Sequence, residues 1–326
     1  MGVPQILVVG CGGISRAWLS AVKDFRDVQV AGLVDCDTAR AAEAAREHSL
    51  DGVGIFSELD EALNTVSPDI VFDLTPPPVH HHVVTRSLRR GCHVLGEKPM
   101  AATMDEARAM ADLAQRSGAT YAVMQNRRYL PPIIQCRELL AGGAIGACTT
   151  VNADFYIGAH FGGFRDDMEH VLVLDMAIHT FDQARFLCGC DPVAVYCHEW
   201  NPEGSWYRHG ASSVAIFEMT NGVVFTYRGS WCAEGHNTSW EAAWRLCGSK
   251  GTILWDGGSG LTAQRVAGES GFIRPTIDID VPPPSAAPLQ GHAACIRDIL
   301  DCLRDGRKPQ TSYDDNIKSL AMVHAA

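Results

Sequence analysis

The feature that most constrains this chain is its first 35 residues, which alternate strand, turn, helix and strand. An apolar run at 6–9 predicts a strand, and a glycine-rich turn at 10–15 follows it. An amphipathic stretch over 16–25 predicts a helix, and the run 28–34 predicts a second strand that ends at Asp35. Two strands joined through a helix form the unit of a parallel sheet, so an α/β fold is expected here.

The turn has the glycine spacing of a dinucleotide site. Gly10 permits a tight turn, and Gly12 allows the backbone to approach a pyrophosphate. Gly13 and Ile14 then lead into a helix N-terminus, whose unpaired N–H groups and dipole attract an anion. The third glycine of the pattern is replaced by Ser15, so the helix is expected to pack slightly farther from the strand.

Asp35 bears on the choice of cofactor. An acid about 20 residues after the turn accepts hydrogen bonds from a free ribose diol and repels a 2′-phosphate. The next residues, Cys36 and Asp37, supply no cation for such a phosphate, so NAD is predicted over NADP. Arg40 is the alternative, because its long side chain lies one turn into the next helix.

Two domains are expected from the change of pattern along the 326 residues. Strands and helices alternate through residue 125, which predicts a doubly wound Rossmann domain over 1–125 with a parallel sheet. Strand patterns dominate the second domain, 126–326, which is predicted to be an α/β domain with a large, mostly antiparallel open sheet. The predicted strands are 149–157, 193–200, 213–219, 223–231 and 244–255, with a hairpin at Asn221-Gly222. A loop at 282–284 and helices at 290–304 and 314–324 complete the domain.

Composition excludes several classes of partner and site. The net charge of −11 disfavours nucleic acid and anionic membranes, and no apolar run is long enough to span a bilayer. The twelve cysteines include no Cys-x-x-Cys pair, which favours a reduced, cytoplasmic protein without disulfides. No metal site is predicted, since the adjacent histidines at 80–82 lack the spacing of helical ligand pairs.

Glu97-Lys98-Pro99 is the first candidate for chemistry. It follows an apolar run at 92–95 that predicts a strand, and a helix with a capping box, Thr103 and Glu106, begins just after it. Ligands bind at the carboxyl edge of an open parallel sheet, so Lys98 is placed where a substrate would lie. The alternative is an exposed lysine in an ordinary loop.

Asp175 and His179 form a second candidate pair in the second domain. They are four residues apart in a mostly apolar stretch, so on a helix they share one face, with Asp182 close to it. A carboxylate fixes the tautomer of a histidine and raises its basicity, which suits a general base. The alternative is a buried histidine with a structural role.

These motifs together resemble the Gfo/Idh/MocA family of glucose–fructose oxidoreductase and inositol dehydrogenase relatives. The resemblance rests on the order of the glycine turn, Thr75-Pro76 with His80, Glu97-Lys98-Pro99, the Asn126-Arg127-Arg128 crossing and Asp175-x-x-x-His179. It implies NAD bound by the first domain and a small carbohydrate or polyol as substrate. It also implies a homodimer or homotetramer formed through the C-terminal sheet.

The resemblance also implies roles for residues. Lys98 would hold and polarise the reacting hydroxyl, His179 would act as general base, and Asp175 would anchor substrate hydroxyls. Four residues would line the cofactor together with Lys98: Thr75, Pro76, His80 and Glu97. Arg127 is a candidate for substrate contact by its place in the motif.

The segment before Asp175 departs from many relatives, which have a glycine-rich stretch where this chain has bulky residues at 168–174. A different substrate is therefore expected. Arg165 would bind a substrate anion or pair with Asp166 or Asp167. Six of the seven tryptophans follow residue 199. Most are expected at a subunit interface, whereas Trp206-Tyr207 is the better candidate for a sugar contact.

Three functions are compatible with these residues. The first is an NAD(P)-dependent oxidoreductase that moves a hydride between a sugar or polyol hydroxyl and the nicotinamide. The second is an NAD-dependent glycoside hydrolase that works by transient oxidation and elimination, for which Tyr156 would assist the leaving group. The third, a non-catalytic NAD sensor, has no need of a retained lysine, aspartate and histidine.

Overall fold

The computed structural model describes residues 2–283 and 288–326, so Pro284 of the predicted loop lies outside the described residues. The chain divides into two compact units. The first holds Met1–Asn126 and Leu289–Leu320, and the second holds Arg127–Pro288 and Ala321–Ala326. Segment 289–320 was predicted to belong to the second domain. It packs in the first unit instead.

The first unit contains six strands and most of the helices. Its strands are β1 (Gln5–Val9), β2 (Gln29–Val34), β3 (Gly54–Phe56), β4 (Ile70–Asp73), β5 (His93–Gly96) and β6 (Tyr121–Val123). Its helices before residue 126 are α1 (Ser15–Val22), α2 (Thr38–Glu47), α3 (Leu59–Val66), α4 (Pro77–Arg89) and α5 (Met104–Ser117). The capping box predicted at Thr103 and Glu106 is present at the start of α5.

The six strands form one parallel sheet in the order β3-β2-β1-β4-β5-β6. Strand order reverses between β1 and β4, and ligands of open parallel sheets bind in the crevice beyond such a point. The glycine turn follows β1, and Thr75 follows β4. This sheet confirms the predicted doubly wound fold.

The C-terminal segment explains why residues 289–320 belong here. Its helix α8 (Gly291–Asp305) packs against α1, and Arg297 pairs with Asp27 at 2.8 Å. Ahead of the last helix, the Thr311 carbonyl accepts from the Val123 amide at the edge of the sheet. No local signal in the sequence marks these long-range contacts.

The second unit is built on an eight-stranded sheet. Its helices are α6 (Pro131–Ala141) and α7 (Ile178–Cys188), and α9 (Tyr313–Ala325) ends in it. Its strands are β7 (Cys148–Tyr156), β8 (Pro192–Trp200), β9 (Ser212–Met219), β10 (Val224–Ser230), β11 (Ala243–Gly248), β12 (Gly251–Trp255), β13 (Leu261–Val266) and β14 (Thr276–Ile279). Short 3₁₀ turns lie at Asn126–Tyr129, Gly163–Arg165 and Thr220–Gly222.

The order of this sheet is β14-β13-β12-β11-β7-β10-β9-β8, and only β7 and β10 pair in parallel. The predicted hairpin joins β9 to β10, with positive φ at Asn221 and Gly222. The predicted single strand over 244–255 is wrong, because the chain reverses at Ser249-Lys250 and pairs Gly248 with Gly251.

One face of the eight-stranded sheet packs against α7. Phe217, Phe225 and Tyr227 on this face surround the ring of Phe181 on the helix, with centroids 4.9 to 5.8 Å away. Trp231, Trp244 and Trp255 are buried in the unit. They therefore belong to its core, contrary to the expectation that most tryptophans lie at an interface.

Two further findings concern the described part of the chain. No helix within it is long and apolar enough to cross a membrane. All twelve cysteines are free thiols.

Candidate active site

The glycine turn after β1 is shaped by Gly10. Its φ is +95°, and a Cβ built there would lie 2.8 Å from the carbonyl carbon and oxygen of Leu74. Only glycine fits this conformation and this distance. At Gly12 and Gly13, by contrast, an added Cβ meets no atom within 4 Å. The outer side of the turn is thus open at the start of α1, where an anion would bind.

Ser15 occupies the third glycine position without disturbing the turn. Its side chain is buried, and its hydroxyl donates to the Gly12 carbonyl at 2.7 Å. Ile14 precedes α1 and provides no side-chain cap, so the first N–H groups of the helix keep no side-chain partner there. The serine stabilises the turn from inside, which the pattern alone did not indicate.

Asp35 is held beside the turn by the backbone. Its Oδ2 accepts from the Cys11 amide at 2.8 Å, and its Oδ1 accepts from the Asp37 amide at 2.9 Å. Burial and the Asp35 charge raise the pKa of the Cys11 thiol to about 12, so that thiol stays protonated. Arg40 pairs with Asp37 at 3.4 Å.

A cleft of about 260 Å³ adjoins the turn. Its lining includes Cys11, Gly12, Gly13, Ser15, Arg16, Arg40, Glu43, Ala44 and Glu47. Open glycine backbone, an uncapped helix start and a fixed carboxylate are the features that a dinucleotide requires. These residues therefore fit the cofactor predicted from the sequence.

A buried hydrogen-bond group lies at the end of β4. Asp73 accepts from the Thr75 amide and hydroxyl through Oδ1, at 3.1 and 2.6 Å. Its Oδ2 lies 2.9 Å from Nδ1 of His80. Pro76 caps α4, and His80 lies in the first turns of that helix. The sequence motif pointed to Thr75, Pro76 and His80 but not to Asp73, the residue that joins Thr75 to His80.

Both carboxylate oxygens of Glu97 accept hydrogen bonds from residues of the first unit. Oε1 accepts from the Trp18 indole at 2.6 Å, and Oε2 accepts from the Lys98 amide at 3.1 Å. Trp18 and Glu97 are buried, Lys98 is half-buried, and the Lys98–Pro99 peptide bond is cis. The structure thus places Lys98 directly after the parallel sheet, with its backbone fixed by a buried carboxylate.

His292 on α8 extends this group. Its ring lies 6.5 Å from that of Trp18, edge to face. Its Nδ1 is 3.4 Å from the side-chain nitrogen, Nδ2, of Asn126. Burial lowers the pKa of His292, although the charge of Glu97 acts in the opposite direction. Trp18 and His292 are far from Glu97 in the sequence, so no spacing rule could have found them.

The predicted pair in the second unit lies on two kinds of helix. Asp175 belongs to a π-turn, Leu172–Ala177, and His179 to the first turn of α7. Both side chains are half-buried. Single π-turns are rare and occur frequently at functional sites. The simple α-helix expected here is therefore wrong in its first half.

Arg165 pairs with neither of the two acids considered from the sequence. Its Nε donates to Asp175 Oδ2 at 2.6 Å. The guanidinium also lies over the rings of Phe161 and Phe164, at 5.0 and 4.7 Å from their centroids. Arg165 is thereby part of the site around Asp175.

Arg127 and Arg128 have different surroundings. Arg128 forms a buried two-bond ion pair with Asp182, with both distances 2.6 Å. Arg127 donates to the Trp240 carbonyl at 2.6 Å and lies 3.5 Å from the Glu241 carboxylate. Burial lowers the pKa of Arg127 and raises that of Glu241. Asp182 is thus a structural partner rather than an extension of the pair formed by Asp175 and His179.

Tyr156 lies on the other face of the sheet. Side chains alternate along β7, so Phe155 faces the side of α7, and Tyr156 shares the opposite face with Asp154. Asp154 pairs there with Arg228 at 2.6 Å. The structure does not bring Tyr156 together with Asp175.

Trp206 and Tyr207 both donate to the carbonyl of Ala159, at 3.1 and 2.5 Å. The imidazole of His160 stacks on Trp206 with centroids 3.6 Å apart. Tyr207 is buried and stacks on Trp231 at 6.3 Å. This loop therefore supports the segment that leads to Phe161 and Arg165.

The fold and these sites define an NAD-binding oxidoreductase of the two-domain Rossmann type. The family model for oxidoreductases with an NAD-binding Rossmann fold, Gfo/Idh/MocA, matches residues 5–125. The model for the Gfo/Idh/MocA C-terminal domain matches residues 133–254. The chain belongs to the Gfo/Idh/MocA family, as its motifs indicated.

Three known proteins illustrate the similarity. D-apiose dehydrogenase of Paraburkholderia graminis is 27% identical over 98% of this chain and 85% of its own. D-glucoside 3-dehydrogenase of Escherichia coli is 26% identical over 62% of this chain and 59% of its own. A crystal structure of an oxidoreductase from Agrobacterium radiobacter with NAD+, L-tartaric acid and magnesium has a TM-score of 0.87. It is 20% identical, covers 100% of this chain and 95% of that one, and shows the shared fold.

Proposed function

We propose that this protein is an NAD-dependent oxidoreductase acting on a hydroxyl of a sugar, a polyol or a sugar derivative. The observation that carries the proposal is the open glycine turn with Asp35 fixed beside it. The names of relatives, D-apiose dehydrogenase and D-glucoside 3-dehydrogenase, support a carbohydrate substrate.

Asp35 supports NAD over NADP. Two backbone amides hold its carboxylate at the end of β2, where it accepts from a ribose diol and repels a 2′-phosphate. Arg40 is engaged by Asp37 at 3.4 Å, although this pair is exposed and therefore weak. We expect at least about tenfold tighter binding of NAD than of NADP, a difference of about 1.4 kcal/mol. Asp35→Ser should narrow this gap.

Three side chains are proposed to carry the chemistry. Bound NAD supplies the hydride acceptor. Lys98 holds and polarises the reacting hydroxyl, and the buried Glu97 fixes its backbone. His179 removes the hydroxyl proton as a general base. Asp175 anchors neighbouring hydroxyls.

Arg165 has a defined part in this arrangement. Its donation to Asp175 holds that carboxylate in one orientation before substrate arrives. A sugar hydroxyl would then donate to the remaining lone pairs of Asp175. A substrate anion is not needed to explain Arg165, since Asp175 already neutralises it.

The test is a panel of sugars, polyols, sugar acids and glycosides with NAD, in which NADH absorbance and products are followed together. NADH formed in step with an oxidised product supports the proposal, and Lys98→Ala and His179→Ala should abolish it while NAD still binds. Cleaved glycoside without net NADH would instead establish the redox-assisted hydrolase, which no relative described above supports by name. Bound NAD without any turnover across the panel would favour the sensor.

Assembly and location are proposed separately. The outer face of the eight-stranded sheet exposes large apolar side chains, with Val193, Tyr196 and Ile216 at 66%, 67% and 42%. We propose that this face forms a homodimer or homotetramer, which light scattering would measure. Twelve free thiols agree with a reduced, cytoplasmic protein, which fractionation would test.

A further inference from the structure

Three large aromatic side chains are exposed close to Asp175. Phe161, Phe164 and Trp240 have 44%, 69% and 46% of their surface in solvent. The rings of Phe161 and Trp240 are 6.1 Å apart, so they form one patch rather than scattered residues. We call these three residues the aromatic collar. Clustered exposed rings mark a binding surface far more often than single ones do.

The collar is connected to the candidate catalytic residue from two sides. Arg165 lies over Phe161 and Phe164 and donates to Asp175. Arg127 donates to the Trp240 carbonyl and lies 3.7 Å from the sulfur of Met176, the residue after Asp175. A ligand that reaches Asp175 is therefore within reach of the collar.

Two of the three collar rings pack against buried rings. Phe161 packs edge to face on Trp231 at 5.2 Å, and Trp240 lies 6.2 Å from Phe155. Trp231 and Phe155 are buried. Because Phe161 and Trp240 pack on buried neighbours, their exposed faces form a preorganised platform, which lowers the entropy lost when a flat group binds.

We propose that the collar binds a flat group with an apolar face that is attached to the sugar, so that glycosides are preferred over free monosaccharides. An aryl ring and a second pyranose share this chemistry, since both present a broad face of C–H or ring carbon atoms. The proposal rests on the proposed function, because it names the substrate class of the same site.

The first experiment measures binding by calorimetry to the NADH-loaded protein, which cannot oxidise the ligand. The three probes share one β-D-glucosyl ring, which carries a methyl group, a phenyl group or a second glucose: methyl β-D-glucoside, phenyl β-D-glucoside and cellobiose. Stacking of the added ring should tighten binding by about tenfold over the methyl glucoside, equivalent to about 1.4 kcal/mol. Tighter binding of the phenyl probe alone would identify an aryl ring as the group that the collar binds. Tighter binding of cellobiose would identify a second sugar as that group.

Variants separate the collar from the rest of the site. Phe164→Ala and Trp240→Ala should each remove most of the tenfold gain, and Trp240→Ala should leave the affinity for methyl β-D-glucoside within about twofold. The guanidinium of Arg165 lies over the rings of Phe161 and Phe164, so Trp240→Ala removes neither of these two rings. Trp200→Ala, which removes a 39% exposed tryptophan on β8, is the matched control and should leave the affinities for all three probes unchanged.

The outcomes distinguish this inference from the proposed function. Equal affinity for all three probes would overturn the inference, as would equal losses for every probe in the collar variants. Oxidation of free sugars by a protein that binds none of the glucosides would also overturn the inference, but it would support the proposed oxidoreductase function. A change of oligomeric mass in Phe164→Ala would show that a second copy covers the collar, which again contradicts a substrate platform.

Discussion

The hydrogen bond between Trp18 and Glu97 offers the sharpest test of how Lys98 is positioned. Trp18→Phe keeps a ring in place but removes the indole N–H, which donates to Glu97 at 2.6 Å. Trp18 is 0% exposed and Glu97 is 8% exposed, so little water replaces the lost donor. The other oxygen of Glu97 accepts from the Lys98 amide. The substitution should therefore loosen the backbone at Lys98.

The magnitude follows from the charge on the acceptor. A hydrogen bond to a charged group contributes about 1.5–3 kcal/mol to stability. If that free energy holds the local structure closed, its loss raises the opening equilibrium by about tenfold to 150-fold. The smaller ring also loses contact with Phe72, which lies 5.0 Å away in an edge-to-face arrangement. That second effect must be separated from the first.

Amide hydrogen exchange measured by NMR reports the opening directly. In Trp18→Phe, the Lys98 amide should exchange about tenfold to 150-fold faster, whereas amides at the centre of β5 change little. Turnover should fall, while the dissociation constant for NAD stays within about twofold. Phe72→Leu is the control, because it disturbs the same aromatic contact but keeps the indole donor. Unchanged exchange at Lys98, or equal acceleration in the control, would refute the reasoning.

Three further predictions concern turn, core and pH. Gly10→Ala should unfold or severely destabilise the turn, since the added Cβ would meet backbone atoms at 2.8 Å. Gly12→Ala should fold normally but bind NAD at least tenfold more weakly than the unchanged protein. Arg128→Met should lower the free energy of unfolding by about 3–5 kcal/mol, because it removes the guanidinium that makes two hydrogen bonds to the buried Asp182 carboxylate. Burial lowers the pKa of His93 below 6.5, and its Nδ1 accepts a hydrogen bond from a backbone amide. The free energy of unfolding should therefore fall as the pH drops below about 6.5.

Each of these has its own check. Urea unfolding and NAD titration compare the two glycine variants, and equal behaviour would contradict the assigned difference. Adding Asp182→Leu to Arg128→Met should recover part of the lost stability, since both charges are then gone. For His93 the neutral form is favoured by folding, so its contribution is complete above pH 6.5 and disappears as the pH falls through the folded-state pKa. His93→Gln should flatten this slope, and the exposed His82→Gln should not.

Local patterns predicted the parts of the fold that local chemistry determines. The glycine turn, Asp35, the capping box and the Asn221-Gly222 hairpin each follow from neighbouring residues, and the structure contains all of them. The fold class was predictable for the same reason, because alternating strand and helix patterns define a parallel sheet.

Long-range partners could not be predicted in this way. Arg165 was expected to pair with an adjacent acid, yet its partner Asp175 is ten residues away across a loop. Trp18 and Glu97 are 79 residues apart. The π-turn was not predicted either, because six residues with i→i+5 hydrogen bonds are too few to produce a recognisable hydrophobic period in the sequence.

The return of residues 289–320 to the first unit has a consequence for synthesis on the ribosome. At roughly 5–20 residues per second, the helix that covers α1 emerges roughly 10–40 s after the parallel sheet has been made. During that interval the outer edge of β6 lacks Thr311, and an uncovered strand edge invites pairing with other chains. A fragment ending at residue 126 should therefore aggregate when expressed alone.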